Sequence, residues 1–198
     1  SAFSQPFPAR SYSFAHANAN ESNGNSTVSF FVRAVPSGKM SNWLLSHEAL
    51  GEKLLVKASF GEFYLRQTNN PMICVAGGSG LAPLISILEH ALIHENPQQK
   101  NRDVLLLIGA RSQKDLYYTN EIEAIKNQWG GSFSYQAVLS DEPENSSWQG
   151  ARGMVTDMLD TQLPNNTEGY FCGPPPMIDA AIEKMRDNGI HQDKLYFD

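Results

Sequence analysis

The feature that most restricts the fold of this chain is a regular alternation, from about residue 69 onward, of short apolar segments and segments with helical spacing. Apolar segments of strand length cover residues 72–76, 103–109, 134–139 and 168–172. Segments with helical spacing cover residues 84–94, 120–128, 155–159 and 178–188, and a glycine follows the last of them. Apolar strands that alternate with helices predict a parallel sheet with helices on both faces.

The first third of the sequence has a different pattern, in which short strands dominate. We predict these strands over residues 11–15, 28–35, 54–58 and 63–65. A polar loop is predicted over residues 18–26 and a short helix over residues 40–50. The change of pattern predicts two domains, residues 1–68 and 69–198, with the boundary at residues 68–71.

The composition excludes several classes of protein. With 15 Lys and Arg against 21 Asp and Glu, the formal charge of −6 argues against a generally basic nucleic-acid-binding protein. No apolar stretch approaches the roughly 18–20 residues that span a bilayer, and no secretory signal is visible at the N-terminus. Only two cysteines occur, Cys74 and Cys172, which is too few for a disulfide scaffold or a four-thiolate iron–sulfur cluster. We therefore expect a cytoplasmic protein, and no metal site is predicted.

Three loops at the carboxyl ends of the predicted strands carry unusual residues, and ligands of open α/β sheets bind at these ends. Residues 77–83 (GGSGLAP) suit the close approach of a phosphate to a helix start, with Pro83 in the first turn, although a plain tight turn is the alternative. Gly109 and Arg111 follow the second strand, where the arginine either holds a ribose or phosphate or forms a surface salt bridge. Residues 172–177 (CGPPPM) form either a rigid ring-binding loop or a stiff structural turn.

Six motifs, taken together and in order, resemble those of the ferredoxin–NADP reductase superfamily. They are RSYS at 10–13, GKMS at 38–41, GEFYL at 61–65, AGGSGLAP at 76–83, GAR with DLYY at 109–118, and YFCGPPPM at 170–177. Within the superfamily, the chain is most similar to the reductase components of bacterial multicomponent oxygenases. The resemblance covers nearly the whole length. It implies a partial antiparallel FAD-binding β-barrel followed by a parallel-sheet α/β domain that binds a nicotinamide dinucleotide.

The resemblance also implies roles for particular residues. Arg10 is expected to pair with the flavin pyrophosphate, Tyr12 to pack against the flavin ring, and Ser13 to hydrogen-bond near flavin N5. Cys172 is expected to border the nicotinamide ring and to shape the site rather than act as a nucleophile. Ser13 and Cys172 are the predicted catalytic residues, since they are expected to lie beside the two rings that exchange hydride. The predicted cofactor-binding residues are Arg10, Ser11, Tyr12, Ser13, Val32, Gly38, Lys39, Met40, Ser41, Gly77, Gly78, Ser79, Gly80, Pro83, Gly109, Arg111, Cys172, Gly173, Pro174 and Met177.

The function that the resemblance implies is hydride transfer from NADH to FAD, followed by transfer of single electrons to an iron–sulfur ferredoxin domain or protein and a terminal oxygenase. The cofactors carry this chemistry and the protein holds them together. NADH is favoured over NADPH because Asp115 disfavours a nearby 2′-phosphate, although Arg111 and Lys114 are basic groups of the kind that such a phosphate needs. Two alternatives stay open: a free-standing NAD(P)H:flavin reductase and a non-catalytic nucleotide-binding electron-transfer subunit.

The two ends of the sequence depart from the family pattern. Fewer strands are found before residue 68 than the family's barrel contains, and the resemblance does not extend to the ferredoxin-like domain common in these reductases. At the other end, the family usually continues past an acidic residue, here Asp198, into Lys-Phe, and Phe197 is the strand residue before it. We therefore expect the sequence to be part of a longer reductase.

Overall fold

Six parallel strands form the centre of the computed structural model, which describes residues 8–17, 27–57, 60–93, 97–159 and 162–198. The strand order across the sheet is β4-β3-β2-β1-β5-β6, and each neighbouring pair is parallel. The strands are β1 (Met72–Gly77), β2 (Val104–Ala110), β3 (Phe133–Leu139), β4 (Ala151–Arg152), β5 (Glu168–Cys172) and β6 (Leu195–Phe197). The parallel α/β domain predicted from the sequence is confirmed.

Helices cover both faces of this sheet. They are α2 (Leu81–Ile93), α3 (Pro97–Lys100), α4 (Thr119–Gln128) and α5 (Pro175–Asp187), and α1 (Lys39–Leu44) lies in the N-terminal part. Successive residues of β1 point to opposite faces, so Cys74 packs in the core beneath α2 and α4 whereas Val75 packs in the core beneath α5. All six residues of β1 are buried, as expected for a central strand of a doubly covered sheet.

The boundaries of two helices differ from the prediction. Helix α2 begins at Leu81, three residues earlier than expected, directly after a 3-10 turn over Gly78–Gly80. Helix α5 begins at Pro175, so two of the three prolines form its first turn rather than a rigid loop. Proline suits this position because its missing N–H would have no partner inside the helix. The segment Val155–Leu159 is a 3-10 helix, not an α-helix.

The N-terminal segment, residues 8–57, contains little regular structure among its described residues. The described antiparallel pairing is a single bridge between Phe14 and Phe30, extended by a 2.9 Å hydrogen bond from Ala15 N–H to the Ser29 carbonyl. The predicted strand over residues 28–35 is thus reduced to one bridged position, and residues 54–57 and 63–65 form no strand. A strand needs a partner for its backbone groups. The antiparallel barrel that the resemblance implies is not seen among the described residues. The loop predicted at residues 18–26 lies outside the described residues.

A buried hydrogen-bond network holds the linker, residues 66–70, to the amino-terminal edge of the sheet. The Arg102 guanidinium and the Glu168 carboxylate form an ion pair of 2.6 Å, with both side chains buried. Arg102 also donates to the Asn70 carbonyl at 2.6 Å, and Glu168 accepts hydrogen bonds from the side chains of Thr68 and Asn70. The chain is therefore fixed in place at the point where it enters the sheet.

A second set of contacts joins the N-terminal segment to helices α2 and α4. His16 Nδ1 lies 3.0 Å from the Glu89 carboxylate of α2, which also accepts a 3.1 Å hydrogen bond from Ala17 N–H. The Tyr118 hydroxyl lies 3.1 Å from a His16 ring nitrogen, and the Phe31 ring packs against Tyr118 with centroids 5.1 Å apart. Together with the linker network, these contacts fix the N-terminal segment over one end of the sheet. Within the described ranges, no helix has the length and apolar character needed to cross a membrane.

Candidate functional site

A cleft of about 1460 Å³ lies between the N-terminal segment and the carboxyl ends of the central strands. Strand β1 is flanked by β2 on one side and β5 on the other, so the chain proceeds in opposite directions across the sheet from this point. Such a topological switch point leaves a crevice where open α/β sheets bind their ligands. The cleft is in the place where the sheet topology alone predicts a ligand site.

The cleft brings together nearly all of the residues that the sequence analysis singled out. The predicted residues that line it are Arg10, Ser11, Tyr12, Ser13, Val32, Gly38, Lys39, Met40, Ser41, Gly77, Gly78, Ser79, Gly80, Gly109, Arg111, Cys172, Gly173, Pro174 and Met177. Pro83 does not line it. Because α2 starts at Leu81, Pro83 lies inside the helix and is buried with the core residues around it.

Glycines allow the loops after β1 and β5 to approach each other closely. A Cβ on Gly80 would overlap the backbone carbonyl of Cys172, and a Cβ on Gly77 would lie 2.7 Å from Pro174 and 2.8 Å from the Met177 sulfur. Gly78 differs because it has a positive φ of 55° and its Cβ would meet only the Arg33 guanidinium, at 3.8 Å. Glycine adopts this conformation without the penalty that a side chain brings. The loop thus offers bare backbone to the cleft opposite a cation.

The charge of the cleft is opposite to that of the chain. Its charged side chains are four cations, Arg10, Arg33, Lys39 and Arg111, and one carboxylate, Asp115, although the whole chain carries −6. The Asp115 carboxylate already accepts hydrogen bonds from Ser112 N–H at 3.1 Å and from its hydroxyl at 2.9 Å. A concave surface of one sign concentrates ligands of the other sign, so the cleft favours an anionic ligand.

Arg33 is a cleft residue that the sequence analysis missed. It lies in a segment of which Phe31, Val32 and Val35 also line the cleft. Because consecutive residues of this segment line the cleft, the alternation of an extended chain does not single out Arg33. The sequence analysis named only Val32 in this segment, because the motifs that resemble the family lie on either side of it.

Ser13 and Cys172, the two predicted catalytic residues, are connected through Asp198. The Ser13 hydroxyl donates to the Asp198 carboxylate at 2.6 Å, and Asp198 N–H donates to the carbonyl of Phe171, the neighbour of Cys172. Burial, and secondarily the Asp198 charge, raise the pKa of Cys172 to about 12. A thiol with this pKa is neutral near pH 7 and a poor nucleophile, in agreement with a shaping role.

The residues of the RSYS motif present an aromatic and cationic surface to the cleft. Tyr12 is half-buried, with its ring centroid 6.2 Å from that of Phe30, and Phe30 stacks on Phe14 at 5.6 Å. Arg10 is exposed and hydrogen-bonds to the neighbouring Ala9 carbonyl. Its guanidinium therefore retains donors for a ligand.

The GKMS motif forms the turn into α1. The Ser41 hydroxyl accepts a 3.2 Å hydrogen bond from Val35 N–H and donates to the Gly38 carbonyl at 3.4 Å. It thereby stabilises the turn from within. Lys39, by contrast, is exposed at the cleft.

Comparison with known proteins identifies the family. The model of the oxidoreductase NAD-binding domain matches residues 74–183, more than half of the chain. The chain belongs to this family. In this NAD-binding family member, the matched region runs from β1 into α5 and contains the two glycine-bearing loops of the cleft.

Relatives of this NAD-binding protein extend the match over the N-terminal segment. It is 43% identical over 190 residues to the xylene/toluene monooxygenase electron transfer component XylA of Pseudomonas putida, covering 96% of this chain and 52% of that protein. It is 36% identical over 193 residues to the anthranilate 1,2-dioxygenase electron transfer component of Acinetobacter baylyi, covering 94% and 52%. The chain thus spans about half the length of these curated relatives. The resemblance to oxygenase reductase components is confirmed.

Solved structures give the same result for the fold. The structure of Amycolatopsis cytochrome P450 reductase GcoB matches with a TM-score of 0.72 and 27% identity, over 94% of this chain and 54% of the other. The ferredoxin reductase of carbazole 1,9a-dioxygenase matches with a TM-score of 0.71 at 23% identity, over 94% and 54%. The chain therefore has a ferredoxin reductase-like fold.

Proposed function

We propose that this protein is an FAD-containing reductase that moves hydride from NADH to FAD and then passes single electrons to an iron–sulfur partner of an oxygenase system. The observation that carries this proposal is the convergence in one cleft of the RSYS residues, the glycine-rich loop after β1 and the Cys172 loop after β5. Two planar cofactors that exchange hydride must meet in one place from which water is excluded. The cleft brings the loops that we propose to hold the two cofactors together between the two parts of the molecule.

The glycine-rich loop and the cations fit a dinucleotide. Gly78 exposes its backbone at the cleft, whereas Gly77 and Gly80 are buried against the loop after β5. Helix α2, which begins at Leu81, presents its N-terminal N–H groups and positive dipole end near this loop. Arg33 and Arg111 add positive charge that no ion pair among the described residues neutralises. We propose that this loop holds the pyrophosphate of NADH and that Arg111 lies near its adenosine half.

The RSYS residues fit a flavin. The half-buried Tyr12 ring is backed by Phe30 and provides a flat face, and the Arg10 guanidinium retains donors for a pyrophosphate. We propose that Arg10, Tyr12 and Ser13 hold FAD in these roles, with Lys39 as a further cation. Bound FAD and NADH would supply the hydride transfer and the one-electron steps.

The chain's own residues orient the reactants and control protons. With its proton donated to Asp198, the Ser13 hydroxyl can act toward a ligand only as a hydrogen-bond acceptor, through its oxygen lone pairs. The neutral Cys172 thiol borders the site without adding a charge. Gly173 lets the β5 loop approach the β1 loop, because a Cβ there would lie 3.0 Å from Gly77. These residues therefore set geometry and polarity rather than form covalent bonds.

One carboxylate of the cleft and two of the relatives support the choice of NADH and of partners. Asp115, held by Ser112, is the carboxylate of the cleft and disfavours a 2′-phosphate near Arg111. The xylene/toluene and anthranilate relatives are electron transfer components of oxygenases, which supports an oxygenase partner reached through an iron–sulfur centre. Both cysteines are free thiols, consistent with the cytoplasmic location that we propose.

The proposal is tested by loading the purified protein with FAD and separating free flavin by gel filtration. The expected result is a yellow protein that oxidises NADH with ferricyanide as acceptor, and does so more efficiently than NADPH. A protein that turns over NADH only with added free flavin, which it releases reduced, would support a free-standing flavin reductase instead. Absence of NADH oxidation in a folded, FAD-loaded sample would contradict the proposed function.

A further inference from the structure

Tyr117 lies between the two parts of the molecule and has no role in the function proposed above. It follows a 3-10 helix at Gln113–Asp115 and precedes α4. The next residue, Tyr118, has a left-handed backbone with φ of 64°, and its ring packs against the core cluster. Tyr117 itself lines the cleft. Two adjacent tyrosines thus serve different parts of the structure.

Tyr117 contacts both sides of the cleft. Its hydroxyl donates a 3.0 Å hydrogen bond to the carbonyl of Gly78, in the glycine-rich loop. Its ring meets the ring of Phe31, on the N-terminal segment, edge to face with centroids 5.3 Å apart and planes at 82°. Burial, with a smaller effect of the Cys172 thiol, raises the pKa of Tyr117 to about 12, so the hydroxyl remains a donor at working pH.

Phe31 is itself fixed from several directions. Its ring lies 5.1 Å from Tyr118 and 6.1 Å from His16, and His16 contacts the Glu89 carboxylate of α2 at 3.0 Å. These contacts fix the position of the Phe31 ring against which Tyr117 packs. A continuous path of contacts runs from this segment through Phe31 and Tyr117 to Gly78.

We propose that Tyr117 is a positioning residue that holds the glycine-rich loop in its ligand-binding conformation, and that this hold depends on Phe31 across the cleft. The reasoning rests on the proposed function, in which the loop binds a diphosphate. Gly78 is exposed and, as a glycine, has a wide range of accessible backbone conformations, so a hydrogen-bond partner for its carbonyl restricts the orientation of that peptide group. The Tyr117 hydroxyl is that partner, and the ring contact with Phe31 keeps the hydroxyl in place.

The test compares Tyr117→Phe, which removes only the hydroxyl, with a matched control, Tyr135→Phe, which removes a hydroxyl from β3 outside the cleft. The probe is ADP-ribose, which contains the diphosphate and requires no flavin. Loss of one neutral hydrogen bond predicts a rise of about 5-fold in the dissociation constant of ADP-ribose for Tyr117→Phe. Amide hydrogen exchange at residues 78–81, measured without ligand, is expected to become faster in this variant and to stay unchanged in Tyr135→Phe.

A third variant, Phe31→Leu, tests the dependence across the cleft. It leaves the Tyr117 hydroxyl in place but removes the ring against which Tyr117 packs. If Phe31 acts through Tyr117, Phe31→Leu also weakens ADP-ribose binding and speeds loop exchange, and the double variant is no worse than Tyr117→Phe alone. Such non-additivity is the signature of coupled residues.

The outcomes separate this inference from the proposed function. Unchanged ADP-ribose affinity and loop exchange in Tyr117→Phe would overturn the positioning role, and fully additive effects of the two substitutions would overturn its dependence on Phe31. If the unsubstituted protein failed to bind ADP-ribose or NADH, the proposed function would fall. Even then, faster exchange at residues 78–81 in Tyr117→Phe would support the hold of Tyr117 on the loop.

Discussion

Replacing Glu168 by glutamine removes one charge from the network that holds the linker to the sheet. The Glu168 carboxylate accepts hydrogen bonds from four donors, Arg102 at 2.6 Å, Thr68 at 2.8 Å, and Asn70 and Tyr170 at 3.1 Å each. Glutamine preserves the shape but replaces one oxygen by an NH₂ group that faces donors. It also leaves the Arg102 guanidinium, which is 0% exposed, without a counter-charge.

The expected magnitude follows from that burial. Removing one partner of a buried ion pair costs about 3–5 kcal/mol in the free energy of unfolding. That is a large part of the roughly 5–15 kcal/mol by which domains are stable. For a chain of this size the melting temperature should fall by about 10 °C.

Urea unfolding followed by tryptophan fluorescence measures this loss. Trp129, one of three tryptophans, donates its indole N–H to the Arg102 carbonyl at 2.8 Å and so places a fluorophore beside the network. The control is Glu123→Gln, which breaks an exposed pair with Lys126 at 3.6 Å and should cost below about 1 kcal/mol. If Glu168→Gln cost no more than this control, the assignment of the buried network as the anchor of the linker would be refuted.

Three further predictions concern the cleft. Because Arg10 is exposed and bonded to Ala9, Arg10→Ala should weaken FAD binding by about 1.5–3 kcal/mol, the value of one charge-assisted hydrogen bond; an unchanged affinity in a flavin fluorescence titration would refute its pyrophosphate role. Cys172→Ser should slow flavin reduction by NADH in anaerobic stopped flow and leave FAD affinity unchanged, and a normal rate would remove Cys172 from the site. Gly80→Ala should abolish NADH binding, because the new Cβ would overlap the Cys172 carbonyl and force the two loops apart; calorimetry showing normal NADH affinity would contradict the tight packing of these loops.

Most of the α/β domain could be predicted because its signals are local. Apolar segments that alternate with helical periodicity identify the four longer strands, and the loops at their carboxyl ends carry the site. Strand β4 has only two residues, too short to produce an apolar pattern, so it was missed. The start of α5 was misplaced because prolines were interpreted as loop residues, whereas in the first helical turn their missing N–H costs nothing.

The N-terminal segment was harder to predict because its structure depends on long-range contacts. Residues 28–35 have strong strand propensity, yet only Phe30 forms a bridge, since β-structure is decided by pairing partners more than by intrinsic preference. Arg33 and Tyr117 were missed for a related reason. The roles proposed for them depend on their proximity to Gly78, and no spacing along the chain records a contact between residues that far apart.

The central claim is that two redox cofactors meet in the cleft between the N-terminal segment and the sheet. The most direct measurement is a crystal structure of the protein with FAD and NAD⁺ bound. We predict the flavin ring against Tyr12 and Ser13, the nicotinamide ring beside Cys172, and about 3–3.5 Å between flavin N5 and nicotinamide C4. Either cofactor bound outside this cleft, or both bound in it with Tyr12 and Cys172 contacting neither ring, would contradict the account.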